Sequence, residues 1–432
     1  MKYKLQHRAD RLRLIQRGEN QYLPLWVLIS TSCLVTITGI LACSNQRVFA
    51  QLLPDSTLGA ENSIVNKVNE FKHLINGGAA RGANLFHSFQ EFNIDTGKSI
   101  YFANPVGIEN ILTRVTGNNI SNIFGKLGVE GTANLFLINP NGIIFGQNAS
   151  LDIRGSFTAT TADRIKLGEN GLFSATNPQS SNLLTIQSSA LFVNALKNQQ
   201  AEIRNEGNLT VDKNLTLNAD NLYLSGEIKA GTYLNLNASN QVLIKNAEII
   251  STNANNFGVI RIGSWQDSVN SVLPVKILIY NSTLSTNNFS SEFAGDIILN
   301  ASNQIEINNS NISSQGNLGR IFIGKSQYSD EIFSPENVTI NHSILSTSNS
   351  GIAGTNNESI DAGNIYIDVN KNIFISNNSF IETSTYRKGN AGDIKISTQS
   401  LELLNGSFLD ASTFGEGNAG IVKITATDNI QF

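Results

Sequence analysis

The sequence predicts an all-β chain wound as a right-handed parallel β-helix, and three features predict it. Apolar residues come in short runs, such as Leu135-Phe136-Leu137-Ile138, Leu215-Thr216-Leu217, Leu222-Tyr223-Leu224 and Leu234-Asn235-Leu236. These are strand-sized and too short for helices. Gly and Asn separate the runs and supply the φ > 0 turns that short strands need. The C-terminal part then repeats at intervals of 24–29 residues, the mark of a solenoid.

The repeat opens with Ala294-Gly295-Asp296-Ile297, Ala362-Gly363-Asn364-Ile365, Ala391-Gly392-Asp393-Ile394 and Ala419-Gly420-Ile421-Val422. Gly319 lies 24 residues after Gly295, Gly392 lies 29 after Gly363, and Gly420 lies 28 after Gly392. The 44-residue step from Gly319 to Gly363 predicts an insertion around Tyr328–Glu336. Inside the units, Ile297, Leu299, Ile305 and Ile307 correspond to Ile365, Ile367, Ile373 and Ile375, and again to Ile394, Ile396, Leu401 and Leu403. A serine follows each set: Ser310, Ser379 and Ser407. A unit this small cannot bury its apolar face alone, but stacked on its neighbours it adds one layer to a continuous core. Alternation points Ile and Leu inward, and equivalent Asn and Ser residues are placed to form hydrogen-bonded ladders. At this period the mature chain accommodates roughly 13–18 coils. A leucine-rich repeat would carry a fixed Leu spacing and a helical segment per unit, and neither is present. One helix is expected before the strands begin, over Asn62–Ile75, where Ile64, Val65, Val68, Phe71 and Ile75 fall near one face.

The N-terminus has the layout of a secretory signal peptide over residues 1–50. A basic stretch precedes the uncharged segment Leu23–Ala42, and Arg47-Val48-Phe49-Ala50 predicts cleavage between Ala50 and Gln51. Two alternatives remain: retention of the apolar stretch as an anchor, and lipidation at Cys43 within Ile40-Leu41-Ala42-Cys43. Both cysteines, Cys33 and Cys43, lie in this leader, so the mature chain has no disulfide to hinder threading through a pore. The leader carries seven Lys/Arg against two Asp/Glu, leaving a net charge of −9 over residues 51–432. An acidic chain without a basic stripe argues against nucleic acid as a partner.

Between Asn84 and Leu172 stands a more specific pattern. It contains Asn84-Leu85-Phe86-His87-Ser88-Phe89, Asn110-Ile111-Leu112-Thr113-Arg114-Val115, Gly131-Thr132-Ala133-Asn134, and Asn139-Pro140-Asn141-Gly142-Ile143, and closes with Gly155-Ser156-Phe157 and Thr160-Thr161-Ala162-Asp163. This resembles the N-terminal secretion domain of filamentous hemagglutinin-type proteins of the two-partner secretion pathway, in its cyanobacterial form. The family often has an earlier Asn-Pro-Asn-Leu element. Here Asn104 and Pro105 match its start, while Val106 and Gly107 depart from it. The resemblance implies a β-helical secretion domain over residues 51–200, followed by a repeat region over 201–432. It also implies a partner outer-membrane β-barrel transporter and a secreted or cell-surface protein with adhesin-like activity toward polysaccharide or protein ligands. Asn139-Pro140-Asn141-Gly142 reads physically as a tight turn, with Pro setting φ and Asn-Gly accepting positive φ. It serves to shape the first coils, to contact the transporter, or both. The run Asp428-Asn429-Ile430-Gln431-Phe432 looks like the second strand of a unit, which predicts a chain cut short at its C-terminus.

No catalytic chemistry is legible. His73, His87 and His342 lack metal-ligand spacing, and no metal or other cofactor is expected. Packing or hydrogen bonding is the expected role of His87. Asp296 and Asp393 occupy equivalent turn openings where Asn364 or Ile421 replaces them, so turn formation is expected of them rather than an acid/base pair. A secreted β-helical enzyme acting on polysaccharide would need clustered carboxylates on one face. A membrane-tethered envelope protein would keep its leader.

Overall fold

The computed structural model describes residues 52–432 apart from 168–170, 181–191, 195–199, 253–257, 264–272, 287, 289–292, 326–332, 350–358 and 387. The leader, the Ala50/Gln51 junction and both cysteines lie outside the described residues.

The described chain is a parallel β-helix with three sheet faces, wound in the right-handed sense that parallel crossovers take. Face A starts at Asn84–Phe92 and continues through Asn110–Val115, Asn134–Ile138 and Phe157–Thr160. Face B includes Ser121–Ile123, Ile143–Phe145 and Glu202–Asn205. Face C includes Ser99–Ala103, Lys126–Glu130 and Ser150–Asp152. In register on face A, Leu85, Ile111, Leu135, Phe157, Leu215, Leu234 and Ile260 continue into Ile297, Ile321, Ile365, Ile394 and Val422. That column makes twelve coils among the described residues, fewer than the 13–18 expected. The difference lies in uneven steps. Phe157 to Leu215 takes 58 residues and Ile321 to Ile365 takes 44, whereas Leu215 to Leu234 takes 19. The 44-residue step carries two insertions rather than one, after Arg320–Ile323 and after Ile344–Ser346. The expected insertion at Tyr328–Glu336 falls in the first, with residues 328–332 outside the described set.

One apolar core runs inside the coils from Ile75 to Ala411. Each strand supplies it by alternation, as in Lys276–Tyr280, where Ile277 and Ile279 are fully buried. The first three coils differ. Phe86, Leu112 and Phe136 form a register column on the outer side of face A, and they too are buried. They join Ile165, Leu167 and Phe173 in a second core. An antiparallel sheet of Arg164–Leu167, Gly171–Ser174 and Phe192–Asn194 belongs to this excursion from the helix. Unbroken apolar runs such as Leu135–Ile138 are thus strands buried on both faces.

The helix expected over Asn62–Ile75 is instead a hairpin, with Ser63–Lys67 antiparallel to Lys72–Gly77. The Asn69 side-chain oxygen accepts from the backbone N–H groups of Phe71 and Lys72, both at 2.8 Å. This local turn competes with helix. Val65 and Ile75 then face the core, while Ile64, Val68 and Phe71 are exposed.

The expected ladders are present. At the corner between faces B and C, Asn246, Asn281, Asn309, His342, Asn377 and Asn405 all adopt φ of 47–57°, a conformation asparagine tolerates. Asn309 Nδ2 donates to Asn281 Oδ1 at 2.8 Å, and Asn405 Nδ2 to Asn377 Oδ1 at 3.1 Å. Beside them, Ser282, Ser310, Ser343, Ser379 and Ser407 each accept, through the hydroxyl, the backbone N–H of the preceding coil at 3.0–3.2 Å.

Candidate functional site

The secretion-type residues lie in the first coils, where corners are fixed by buried polar groups. Asn139 ends Asn134–Ile138 on face A and is fully buried. All its polar atoms are used. Its backbone N–H donates to Thr160 O at 3.0 Å, and Gly142 N–H donates to Asn139 O at 3.1 Å, closing a β-turn. Its side-chain oxygen accepts from Asn141 N at 3.0 Å, and its Nδ2 donates to Asn119 O at 3.0 Å and Ser121 Oγ at 2.9 Å. Asn141 Nδ2 reaches back to Gly117 O at 2.8 Å. The motif thus ties its own corner to the previous coil. Asn and Pro occupy the first two turn positions in accord with type I preferences. The positive φ falls on Gly142, at 128°, and not on Asn141. The hydrogen bond from Asn141 N to the Asn139 side chain fixes Asn141 as an Asx turn would. Ile143, fully buried, begins the next strand on face B.

Asn104 and Pro105 sit at a different corner, between faces C and A, and share no hydrogen-bond partner with Asn139 among the described residues. Asn104 Nδ2 donates to Ile108 O at 2.9 Å, while its Oδ1 accepts Thr132 N at 3.0 Å and Ala133 N at 3.1 Å in the next coil. Ile108 N–H closes onto Pro105 O at 3.1 Å over Gly107, whose φ is 86°. The departure from Asn-Pro-Asn-Leu therefore sits in an intact turn, with Val106 fully exposed at its tip.

A third constellation escaped the sequence reading. Arg114, inside the quoted string, is fully buried. Its Nε donates to Ser88 Oγ at 2.9 Å, and its terminal nitrogens donate to Ser174 O at 2.6 Å and Thr57 Oγ1 at 2.9 Å. The guanidinium lies 4.5 Å over the Phe173 ring. Asp55 accepts from Ser88 Oγ at 2.8 Å and from the hydroxyls of Thr57 and Thr116 at 2.5 Å. Burial pushes the Asp55 carboxyl up, but the hydroxyls of Thr116, Thr57 and Ser88 and the Thr57 N–H outweigh it and hold the group below the ordinary range. Burial lowers Arg114 to about 10, against the pull of Asp55, so both stay charged at neutral pH. This clasp joins the segment at Asp55 and Thr57, the first two coils and the antiparallel excursion. A second tie is visible in the sequence as Asn84-Leu85-Phe86, Asn110-Ile111-Leu112 and Asn134-Leu135-Phe136: the three asparagines hydrogen-bond in a ladder at 3.0 and 2.9 Å.

His87 is fully buried, with Nδ1 3.1 Å from Ser63 Oγ and its ring 5.2 Å from Phe102. This is the packing and hydrogen-bonding role expected of it. Burial pushes its pKa down to about 3, and burial together with Lys67 and Lys98 lowers His73 as well. The unfolded chain, with His near 6.5, therefore binds a proton that the folded chain refuses between about pH 6.5 and pH 3. Stability is complete above that window and falls as pH drops through it, by up to ~1.4 kcal/mol per pH unit. Denaturant unfolding at pH 5 should show ~2 kcal/mol less stability than at pH 7, with much of that difference gone in His87→Phe. An equal pH loss in the variant would refute the assignment.

Asp296 and Asp393 are not a pair. They lie three coils apart in register, about 14 Å at the usual strand spacing. Asp296 is held by Arg320 at 2.7 and 2.8 Å, and Asp393 by Lys395 at 3.0 Å and Ile421 N at 3.0 Å. Their place at coil openings is the one the repeat assigns them. Among the described residues, no group of three or more His, Cys, Asp or Glu side chains is arranged to hold a metal ion.

Residues 50–284 match the TPS secretion domain family. The chain belongs to that family. The heme/hemopexin-binding protein of Haemophilus influenzae strain Rd is 40% identical over 83 residues, which are 19% of this chain and 9% of that protein. A second Haemophilus influenzae protein of the same name is 37% identical over 82 residues, 19% of this chain and 8% of that protein. The aligned part is thus less than a tenth of the length of these relatives. The HMW1 secretion domain of Haemophilus influenzae superposes with a TM-score of 0.54 at 18% identity, covering 82% of this chain and 98% of that one. That likeness is one of fold. A TPS secretion domain marks a two-partner secretion exoprotein.

Proposed function

We propose that this TPS-family chain passes through a partner outer-membrane β-barrel transporter and acts at the cell surface or in the medium as an adhesin-like protein. The observation that carries the reading is the family match over residues 50–284. In this reading residues 1–50 are a signal peptide cleaved between Ala50 and Gln51, residues 51–200 carry recognition by the transporter, and residues 201–432 form the repeat region that folds after them. The geometry supports the order of events. Each coil pairs mainly with the one before and the one after, so folding can propagate as segments emerge. The Asp55–Arg114 clasp and the Asn139 corner make the first coils a template for the rest. Ligands in this reading are extracellular polysaccharides or proteins that meet the long outer faces.

The test is secretion of the full chain with and without a candidate partner barrel, scored by immunoblot of the medium. Appearance in the medium without any barrel would overturn the reading. Asn139→Ala should reduce export sharply, because it strips partners from buried groups at a cost of ~1–3 kcal/mol. Unchanged export would reject the role given to that corner. Refolded Asn139→Ala protein separates the two uses of the turn: lost export at wild-type stability assigns contact with the transporter, and parallel losses assign a structural role.

A further inference from the structure

The outer side of face A changes character along the helix. In the first coils it is apolar and buried under the excursion, through Phe86, Leu112 and Phe136. In the last coils the same side forms an open groove of about 380 Å³, lined by Lys325, Tyr366, Asp368, Lys395, Ser397 and Lys423. Three ammonium groups meet one carboxylate there, in a mature chain whose net charge is −9. Tyr366 stacks flat on Phe322 with ring centroids 5.0 Å apart, and Lys395 Nζ lies 5.6 Å from the Tyr366 ring centroid on the next coil. Lys395 and Lys423 then face each other in register on adjacent strands.

Like charges directly opposite on neighbouring strands are destabilising. Here the repulsion is only partly relieved. Asp393 pairs with Lys395 at 3.0 Å, but neither Lys423 nor Lys325 forms an ion pair among the described residues. Asp368 is already engaged by the Ser334 hydroxyl. Local conflicts of this kind mark functional positions in otherwise consistent sequences.

We propose that this groove binds an acidic polysaccharide, with Lys325, Lys395 and Lys423 pairing to carboxylate or sulfate groups spaced along the glycan. Lys395 and Lys423 repeat at the strand spacing of about 4.8 Å, comparable to one sugar unit, and Lys325 follows the strand two coils before Lys395, so a polymer lying across the groove meets two adjacent cations and a third beyond the Tyr366 ring. Ser397 and Thr425, neighbours on the groove floor, offer hydroxyls to the sugar. A nucleic acid is a poorer occupant, since the charge is confined to one groove of an acidic chain. This inference names a ligand class for the adhesin-like reading above and rests on it for its biological setting, but its test does not involve export.

The full chain, purified from denaturant and refolded, is titrated with polygalacturonate, dextran sulfate and neutral dextran at low and high salt. Binding to at least one polyanion is expected. It should weaken with salt as contacts to a polyanion do, and it should fall at least tenfold in the Lys325→Gln/Lys395→Gln/Lys423→Gln variant. Preference between the first two probes assigns carboxylate or sulfate. Thermal unfolding of the variant at or above wild type shows that the loss is not misfolding, because the substitution also removes the facing charges. Equal binding by wild type and variant, binding of neutral dextran as tight as that of the polyanions, or no binding to either polyanion overturns the proposal. Failure here leaves the secretion assay untouched, and the reverse also holds.

Discussion

Gly363→Ala should destabilise the β-helix by about 3 kcal/mol or more, at the severe end for a single added methyl group. A Cβ at Gly363 would sit 1.6 Å from the Gly319 carbonyl oxygen and 2.4 Å from its carbon. Both are backbone atoms of the previous coil and cannot rotate away. The same collision recurs along the column: a Cβ on Gly295 meets Gly258 O at 1.3 Å, on Gly392 meets Gly363 O at 1.8 Å, and on Gly420 meets Gly392 O at 1.9 Å. These corners need glycine for space, since none of the four has positive φ. The carbonyls they expose are used as well: Thr347 Oγ1 donates to Gly363 O at 2.7 Å and Thr383 Oγ1 to Gly392 O at 2.6 Å. Gly82 is the contrast, with φ of 58° and nothing within 4 Å of an added methyl; Gly82→Ala should cost only the left-handed backbone penalty, about 1–2 kcal/mol. Denaturant unfolding followed by circular dichroism compares the two. A Gly363→Ala protein within about 1 kcal/mol of wild type, the typical cost of an ordinary substitution, would show that the coils can separate at this corner more easily than their spacing implies.

Arg114→Met should cost about 3–5 kcal/mol, the usual result of removing one member of a buried charged network. Methionine fills much of the volume, so the loss reports on polarity rather than on a cavity. It leaves Ser174 O without that donor, strips one partner from Ser88 and Thr57, and removes the cation that stands near Asp55. Arg114→Lys should fall short as well, because one ammonium cannot reproduce a planar fork directed at three acceptors. Since Ser174 belongs to the excursion, its antiparallel sheet should loosen first. Limited proteolysis is therefore expected to cut the variant between residues 163 and 200 faster than wild type, before global unfolding. Wild-type stability and an unchanged cleavage pattern would mean that the clasp adds little to the apolar contacts of Phe86, Leu112 and Phe173.

Much of the fold is legible locally because a β-helix repeats the same local instructions. Alternating Ile and Leu, the Asn and Ser that recur at B–C corners of the later coils, and the Ala-Gly openings can be aligned by eye, and they fall where their spacing puts them. Regular spacing also produced the errors. An average period applied to the whole chain gives too many coils, because the 58-residue step at Phe157–Leu215 holds the three-stranded antiparallel sheet in addition to its helix strands. The apolar spacing of Ile64, Val65, Val68, Phe71 and Ile75 fits a helical face as well as a hairpin, and a single Asn69 side chain decides between them.

For the candidate site the division is sharper. The turn at Asn139–Gly142 is written in four consecutive residues, so its existence is readable without coordinates; that Asn139 is buried, and that the positive φ belongs to Gly142, is not. The clasp is less readable still. Arg114 finds its partners 26, 57 and 60 residues away, and no local pattern announces that an arginine will be taken out of water. The coil, its corners and its ladders follow from residue order alone, because they depend on contacts between equivalent residues of successive repeats. Which outer face is covered, where the buried charges meet and where cations gather emerge only in three dimensions, because they depend on how distant segments, inserted at irregular steps, come to lie on the same sheet.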